Sequence, residues 1–377
     1  MQYNEFLVIL RRQFLSLPLA LLAACRRRSP GYPGYAFVAL GEGRALAVVD
    51  LLAFALRRQI PLPAVPSEVV APRGGPAVYA LLPEAGLICE ADSSRLQITR
   101  RLSTRARLLR MKAAPGRGTL WLLAAEPRQL MALSLDDFRI KTRLNLPAPP
   151  FDFDLSPDGA LAAVTFGDAG LLSLVDLKQN RVHPPLPAGQ SCEIVCFRPD
   201  GRHVLTADPA ERRLVVVSAE TGQRVTSLSV AIRPRHLCFK NDGGELFVTG
   251  EGMDAVVIVS PYSTEVTETV LAGRAPGPMA VSRSPEYLFV ANPPSGDVTV
   301  LDVETRRVVA VTPVGQRPGP ILITPDDRYA LILDQATGSV AVIRLASILP
   351  RRTRGAPLFT AIPVGLDPRS VAVAAMT

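Results

Sequence analysis

Residues 287–326 carry the pattern that decides the fold. They read Tyr287-Leu288-Phe289-Val290-Ala291-Asn292, Pro293-Pro294-Ser295-Gly296, Asp297-Val298-Thr299-Val300-Leu301-Asp302, Val303-Glu304-Thr305, Arg306-Arg307-Val308-Val309-Ala310-Val311 and, a few residues on, Pro318-Gly319-Pro320-Ile321-Leu322-Ile323-Thr324-Pro325-Asp326. Each apolar run is short, rich in Val, Ile, Leu and Thr, and bounded by Gly, Pro, Asp or Ser. Such runs form brief strands joined by tight reversals. Four in succession make one antiparallel meander.

The meander recurs along the chain. Aligning its second strand places Val38, Tyr79, Trp121, Val164, Leu205, Val248, Val290 and Ile332 in equivalent positions, with steps of 41 to 43 residues. The turn after the first strand recurs as Ser156-Pro157-Asp158-Gly159, Arg198-Pro199-Asp200-Gly201, Asn241-Asp242-Gly243 and Thr324-Pro325-Asp326-Asp327. Asp50, Asp176 and Asp302 end the third strand of their units, where a short carboxylate caps the next turn; this reading takes precedence over catalysis. A four-stranded unit of about 42 residues has the size of a β-propeller blade. Eight units predict an all-β chain, a single propeller of four-stranded antiparallel blades, with seven blades as the alternative. Residues 370–375 form a first strand with nothing after them, whereas the first unit begins at a second strand, Ala36-Phe37-Val38-Ala39. The two ends therefore predict a shared first blade that closes the ring and removes an open edge.

These units resemble the YVTN-type repeats of surface-layer-like and YncE-like bacterial propellers. Phe289-Val290-Ala291-Asn292 stands for the eponymous motif, and the resemblance covers about residues 35–377. Members more often have seven blades, and the motif specifies strand and turn rather than a ligand.

The N-terminus reads as an address. Arg11-Arg12-Gln13-Phe14-Leu15 resembles a twin-arginine export motif, although Leu10 and the apolar Phe6-Leu7-Val8-Ile9-Leu10 depart from it. The apolar run that follows is shorter than the roughly 20 residues of a permanent span. Leu22-Ala23-Ala24-Cys25 resembles a bacterial lipobox, so Cys25 is expected to be lipidated and to tether the chain to a membrane. An uncleaved anchor or a buried first strand is the alternative. The expected organisation is a signal segment over 1–25, a linker over 26–34 and the propeller over 35–377. The expected location is the cell envelope or periplasm.

Composition narrows the chemistry. Of 377 residues, 48% are hydrophobic, which excludes disorder, and 35 prolines with 27 glycines oppose long helices. The net charge of +8 is carried by arginine. Three histidines, His183, His203 and His236, leave little for multi-histidine metal sites. No Gly-rich phosphate loop opening a helix, no Gly-x-Ser-x-Gly and no Cys-x-x-Cys occurs. Cys196 and Cys238 share one position in successive units, and Cys89 and Cys192 have no evident partner, so all four read as small buried thiols.

The loops that lead into the first strands carry Arg105, Arg107, Arg233, Arg235, Arg274, Arg317 and Arg369, with Glu193 and Asp367 as acidic members. Gathered around one mouth of the channel, they would draw an anion; the alternative is a solvated loop set. His236 is placed at the same mouth, where a solvated or hydrogen-bonded histidine is the leading reading, because no second histidine occupies the matching site of another unit, and a haem ligand or proton shuttle is the alternative. Arg351, Arg352 and Arg354 fall in an insertion of the last unit, on the outer surface.

The leading expectation is a lipid-anchored binding or scaffold module, monomeric and without turnover, that contacts a protein or anionic ligand through one face or its funnel. No cofactor, metal or catalytic residue is assigned, and no nucleic acid is expected. The alternative is a propeller enzyme, either a lactonase-like hydrolase or an oxidoreductase holding haem or quinone.

Overall fold

In a computed structural model, residues 31–72, 75–116, 118–348 and 358–375 are described. Cys25, the twin-arginine segment and the 351–354 arginines lie outside them. The strands assemble into eight antiparallel sheets, each following the chain in meander order. The seventh shows the pattern: Met279–Val281, Tyr287–Asn292, Asp297–Asp302 and Arg307–Pro313 pair in sequence, with Asn292 opposite Asp297 across the turn between the second and third strands. Tyr287–Asn292 is buried along its whole length, whereas the fourth strand, Arg307–Pro313, is mostly exposed. Burial on both faces of the middle strands and exposure of the outer one is what radial stacking requires.

The register makes the repeat uniform. Val38, Ala80, Leu122, Val164, Thr206, Val248, Val290 and Ile332 pair with Ala47, Cys89, Met131, Ser173, Val215, Val257, Thr299 and Ala341, so every step is 42 residues. Tyr79, Trp121 and Leu205 therefore sit one place earlier than the sequence alignment put them. The cause is physical at two of them: Tyr79–Ala80 and Trp121–Leu122 are buried apolar neighbours, which carry no phase. Seven blades also share a β-bulge between third and fourth strands, at Val48, Glu90, Ala132, Val216, Ile258, Val300 and Val342. An added residue there increases the twist that lets a blade splay at its rim. In the fourth blade Pro184 and Pro185, which lack an N–H for the ladder, break the outer strand into Arg181–Val182 and Leu186–Pro187.

The core is distributed between the blades. Eight apolar clusters occupy successive blade interfaces. One joins Leu331, Leu333 and Val340 of the last blade to Val38, Ala47 and Val49 of the first. Ring closure comes from Pro368–Ala375, which pairs with Gly34–Leu40 and sets Ala372 opposite Phe37. Eight blades and the shared first blade thus both stand.

Turn chemistry follows the sequence. Asp50 Oδ1 accepts from Leu52 and Ala53 N–H groups at 2.8 and 3.0 Å, Asp176 caps Lys178 at 2.9 Å, and Asp302 caps Thr305 at 2.8 Å. These carboxylates hold turns, as a side chain accepting from the backbone two or three residues on does.

Candidate functional site

The first strand of every blade lines the central channel and starts at the same face, called here the mouth. In blade 6 that strand is Arg233–Phe239, and its pairing with Leu246–Glu251 slips between Pro234 and His236, leaving Arg235 as a bulged residue. Pro234 brings no N–H to the ladder. Gly250 makes the bulge possible, since a Cβ there would lie 1.9 Å from the Arg233 carbonyl oxygen. Bulges re-aim side chains. This one sends Arg235 to Glu193 of blade 5, with Nη1 donating to Oε2 at 2.6 Å, and to Glu251, with Nε donating to Oε1 at 3.0 Å.

His236 follows the bulge and borders a cavity of about 710 Å³ with Gly250, Met253, Pro276 and Pro293. Its ring nitrogens make no hydrogen bond with a described residue. Burial, and then the neighbouring Arg235 charge, hold its pKa below the ordinary histidine value. The imidazole is therefore neutral at pH 7, with a lone pair free to accept a hydrogen bond or bind a metal.

The remaining mouth residues divide into paired and unpaired. Arg369 Nε donates to Asp367 Oδ2 at 2.6 Å, packed so closely that a Cβ on Gly41 would meet that oxygen at 2.0 Å. Arg107 stands 3.6 Å from Glu126. The Arg317 backbone N–H donates to the buried Asp334 at 2.9 Å, while its side chain reaches only the Gln335 amide oxygen, at 3.5 Å. Arg105, Arg233 and Arg274 make no ion pair with a described residue. The structure thus brings Glu193, Arg235 and His236 together, pairs Asp367 with Arg369 locally at the start of the closing strand, and leaves the free guanidinium groups dispersed.

The channel wall holds a cluster that sequence reasoning did not find. Arg110 Nη1 donates to Glu68 Oε1 at 2.9 Å and its Nε lies 3.7 Å from Asp152 Oδ1; Lys112 Nζ donates to Asp154 Oδ1 at 2.7 Å. The same carboxylates stitch blades together: Glu68 Oε2 accepts from the Met111 N–H and Asp154 Oδ2 from the Phe197 N–H, each at 2.8 Å. Burial raises the pKa values of Glu68 and Asp152 despite these cations. For Lys112 burial opposes the charge, yet Asp154 and Asp152 prevail and raise its pKa.

The signal was the period itself. Stepping back from His236 by 42 residues gives Ile194, Asp152, Arg110 and Glu68; stepping back from Cys238 gives Cys196, Asp154 and Lys112. These are two stacked rings of the lumen. Blades 2 to 4 supply a charged arc, and His236 on blade 6 stands four blades from Glu68 on blade 2. All four described cysteines are free thiols. Burial raises each of them, Cys89 and Cys238 to about 11 and Cys192 to about 12.

On the opposite face a cavity of about 1030 Å³ opens between blades 2 and 3. Its charged groups serve one another: Tyr79 Oη donates to Glu90 Oε2 at 3.0 Å, and Arg100 Nε donates to Glu90 Oε1 at 2.9 Å while its guanidinium lies 4.6 Å over the Phe138 ring. Among the described residues no three His, Cys, Asp or Glu side chains are grouped to hold a metal ion.

Fold and site define an eight-bladed β-propeller with a histidine and a clamped arginine at the mouth of a partly charged lumen. No protein-family model matches the chain, and no curated protein does. Solved structures do match. The dihydro-haem d1 dehydrogenase NirN, in complex with DHE, is similar with a TM-score of 0.77 at 14% identity, over 94% of this chain and 78% of that one. Apo AztD from Citrobacter koseri is similar with a TM-score of 0.66 at 14% identity, over 90% of this chain and 98% of that one. Kuenenia stuttgartiensis hydrazine synthase follows at 0.58 and 16% identity, over 71% and 95%. At these identities the likeness shows the propeller and nothing of its ligand.

Proposed function

We propose that the chain is an exported, lipid-anchored binding propeller that holds an anionic ligand of macrocycle size at the channel mouth. The observation that carries this reading is His236, a neutral imidazole without a described hydrogen-bond partner, beside the clamped Arg235 on the border of a cavity of about 710 Å³. Pockets of roughly 300–1,000 Å³ enclose a drug-sized ligand. Arg235, Glu251 and Asp254 line that cavity, and Arg233 and Arg274, close in sequence to lining residues but outside the lining, would meet ligand carboxylates that project beyond it. Export and anchoring rest on Arg11-Arg12 and Leu22-Ala23-Ala24-Cys25, and kinship with YVTN-type propellers on the Phe289-Val290-Ala291-Asn292 unit.

A second reading, an oxidoreductase acting on or through a tetrapyrrole, is favoured by the fold shared with NirN over 94% of the chain. His236 fits such a group, because its neutral nitrogen is uncommitted; Arg233 and Arg274, close in sequence to residues that line the cavity, would meet carboxylates reaching out of it. A bound tetrapyrrole would supply ring-centred redox chemistry, and this chain would orient it and neutralise its charge.

The test is an absorption titration of the purified protein with haemin, a dicarboxylated tetrapyrrole. Saturable binding with a shifted band, lost in His236→Ala and weakened in Arg233→Ala and Arg274→Ala, supports the reading. Binding that ignores all three substitutions removes it.

A further inference from the structure

We propose that the outer edge of blades 1 to 3 is a docking surface for anionic phospholipid. The outer strands of those blades, Ala55–Pro61, Gln97–Ser103 and Arg139–Asn145, carry seven basic residues and no acidic one. The complete outer strands of blades 5 to 8, Arg224–Ser229, Glu265–Leu271, Arg307–Pro313 and Leu358–Pro363, carry two of each. Solvation alone does not segregate charge in this way.

Most of the seven are uncommitted. Arg100 is held by Glu90 and Lys141 by Asp137. Arg57, Arg58, Arg101 and Arg139 are exposed and make no ion pair with a described residue. Arg143 donates to neutral groups, Gln129 Oε1 at 3.3 Å and the Thr104 carbonyl oxygen at 3.3 Å. The arginines lie on three consecutive blades whose interfaces are packed, so their spacing is rigid.

The place where the chain enters the ring selects the partner. Gly34 begins the second strand of blade 1, its carbonyl accepting from the Leu51 N–H at 3.1 Å, and the third strand ends at Asp50, opposite both Tyr35 and Ala55. Neighbouring strands lie about 4.8 Å apart, so the outer strand starts roughly 10 Å from the entry strand. The stretch from Cys25 to Gly34 reaches no further than about 30 Å when fully extended. It opens with Arg26-Arg27-Arg28. With Cys25 acylated, as the preceding reading holds and on which this one rests, the basic edge is kept within a short tether of lipid headgroups. One lipid with a basic patch is the pairing that makes anchoring stable.

The experiment uses the chain from position 25 onward as Cys25→Ser, so that neither the apolar signal segment nor an acyl chain contributes, with vesicles of phosphatidylcholine alone or mixed with phosphatidylglycerol. Flotation is expected only with the anionic vesicles and is expected to fade as salt rises. Each of Arg57→Gln, Arg58→Gln, Arg101→Gln and Arg139→Gln should weaken partition about fivefold. The quadruple Arg→Lys variant should float like the parent, and Arg224→Gln with Arg307→Gln should change nothing. Equal binding to neutral vesicles overturns the proposal, as does a quadruple Gln variant that melts like the parent and still floats. Capture of a protein through these arginines without flotation also overturns it. Mass analysis of the natural N-terminal peptide decides Cys25 separately: an unmodified Cys25 with flotation intact removes the anchor and leaves the docking edge.

Discussion

Arg235 on blade 6 is clamped by Glu193 on blade 5 at 2.6 Å, one residue before His236. The clamp fixes a positive charge beside the imidazole, and that charge is the second cause, after burial, of its lowered pKa. Arg235→Met should raise the His236 pKa toward, but not beyond, its ordinary value, because burial stays. Histidine NMR titration measures it, and an unmoved or lower value contradicts the assignment.

The same shift has a stability consequence. With the folded pKa lowered, the unfolded chain takes up the proton first as pH falls through about 6.5, so folded stability drops below that pH. The slope should be shallower in His236→Asn than in the parent between about pH 7 and about pH 5. Urea denaturation at the two ends of that window compares the chains. His203, also lowered, first by burial and then by Arg198, is present in both and cancels.

Gly250→Val probes the bulge. A Cβ at that position would lie 1.9 Å from the Arg233 carbonyl oxygen, backbone that cannot step aside cheaply. The expected outcome is an intact propeller, by circular dichroism, in which haemin binding falls at least tenfold because His236 is displaced. Binding at the parental level would show that the bulge does not place the imidazole.

Much of this molecule was legible in its sequence, and the limits were physical. Blade number came from the recurring second strands and closure from the unpaired first strand at 370–375, and the turn residues between them report local backbone demands: Gly159, Gly201 and Gly243 hold positive φ, and Asp327 takes the same region at 54° in the eighth blade. The exact phase was less visible, because Tyr79 and Ala80 are both buried and apolar and either could face either neighbour. At the mouth, residue type marked Arg235 and Glu193 but not their pairing, which depends on a bulge that linear spacing does not register. The charged arc of Glu68, Arg110 and Asp152 was hidden because each residue looks ordinary in its own strand; only stacked by the period do the three alternate in sign.

That arc makes a further demand on stability. Asp154 accepts from Lys112 at 2.7 Å and from the Phe197 N–H at 2.8 Å, so it serves both a cation and an inner-strand donor of the next blade. Asp154→Ala leaves both without an acceptor and should lower stability by about 1–3 kcal/mol. Asp154→Asn keeps an acceptor oxygen and should cost less. Denaturant midpoints at constant slope provide the comparison, and equal losses in the two variants would mean that the shape of the side chain, not its hydrogen bonds, matters there.

Closure of the ring is the relationship on which the other sites depend. Pro368–Ala375 covers the inner edge of Gly34–Leu40, and Ala372 and Ala374 pack in the cluster shared by blades 1 and 2. Ending the chain at Leu366 would expose that edge, a row of free N–H and C=O groups of the kind that templates aggregation. The expected result is a truncated protein that loses cooperative unfolding and associates, and that regains a single transition when a peptide of residues 368–375 is added. A truncated chain that stays monomeric and melts like the parent would mean that the interfaces between blades hold the circle without the shared strand, and that the joining of the two chain ends is dispensable.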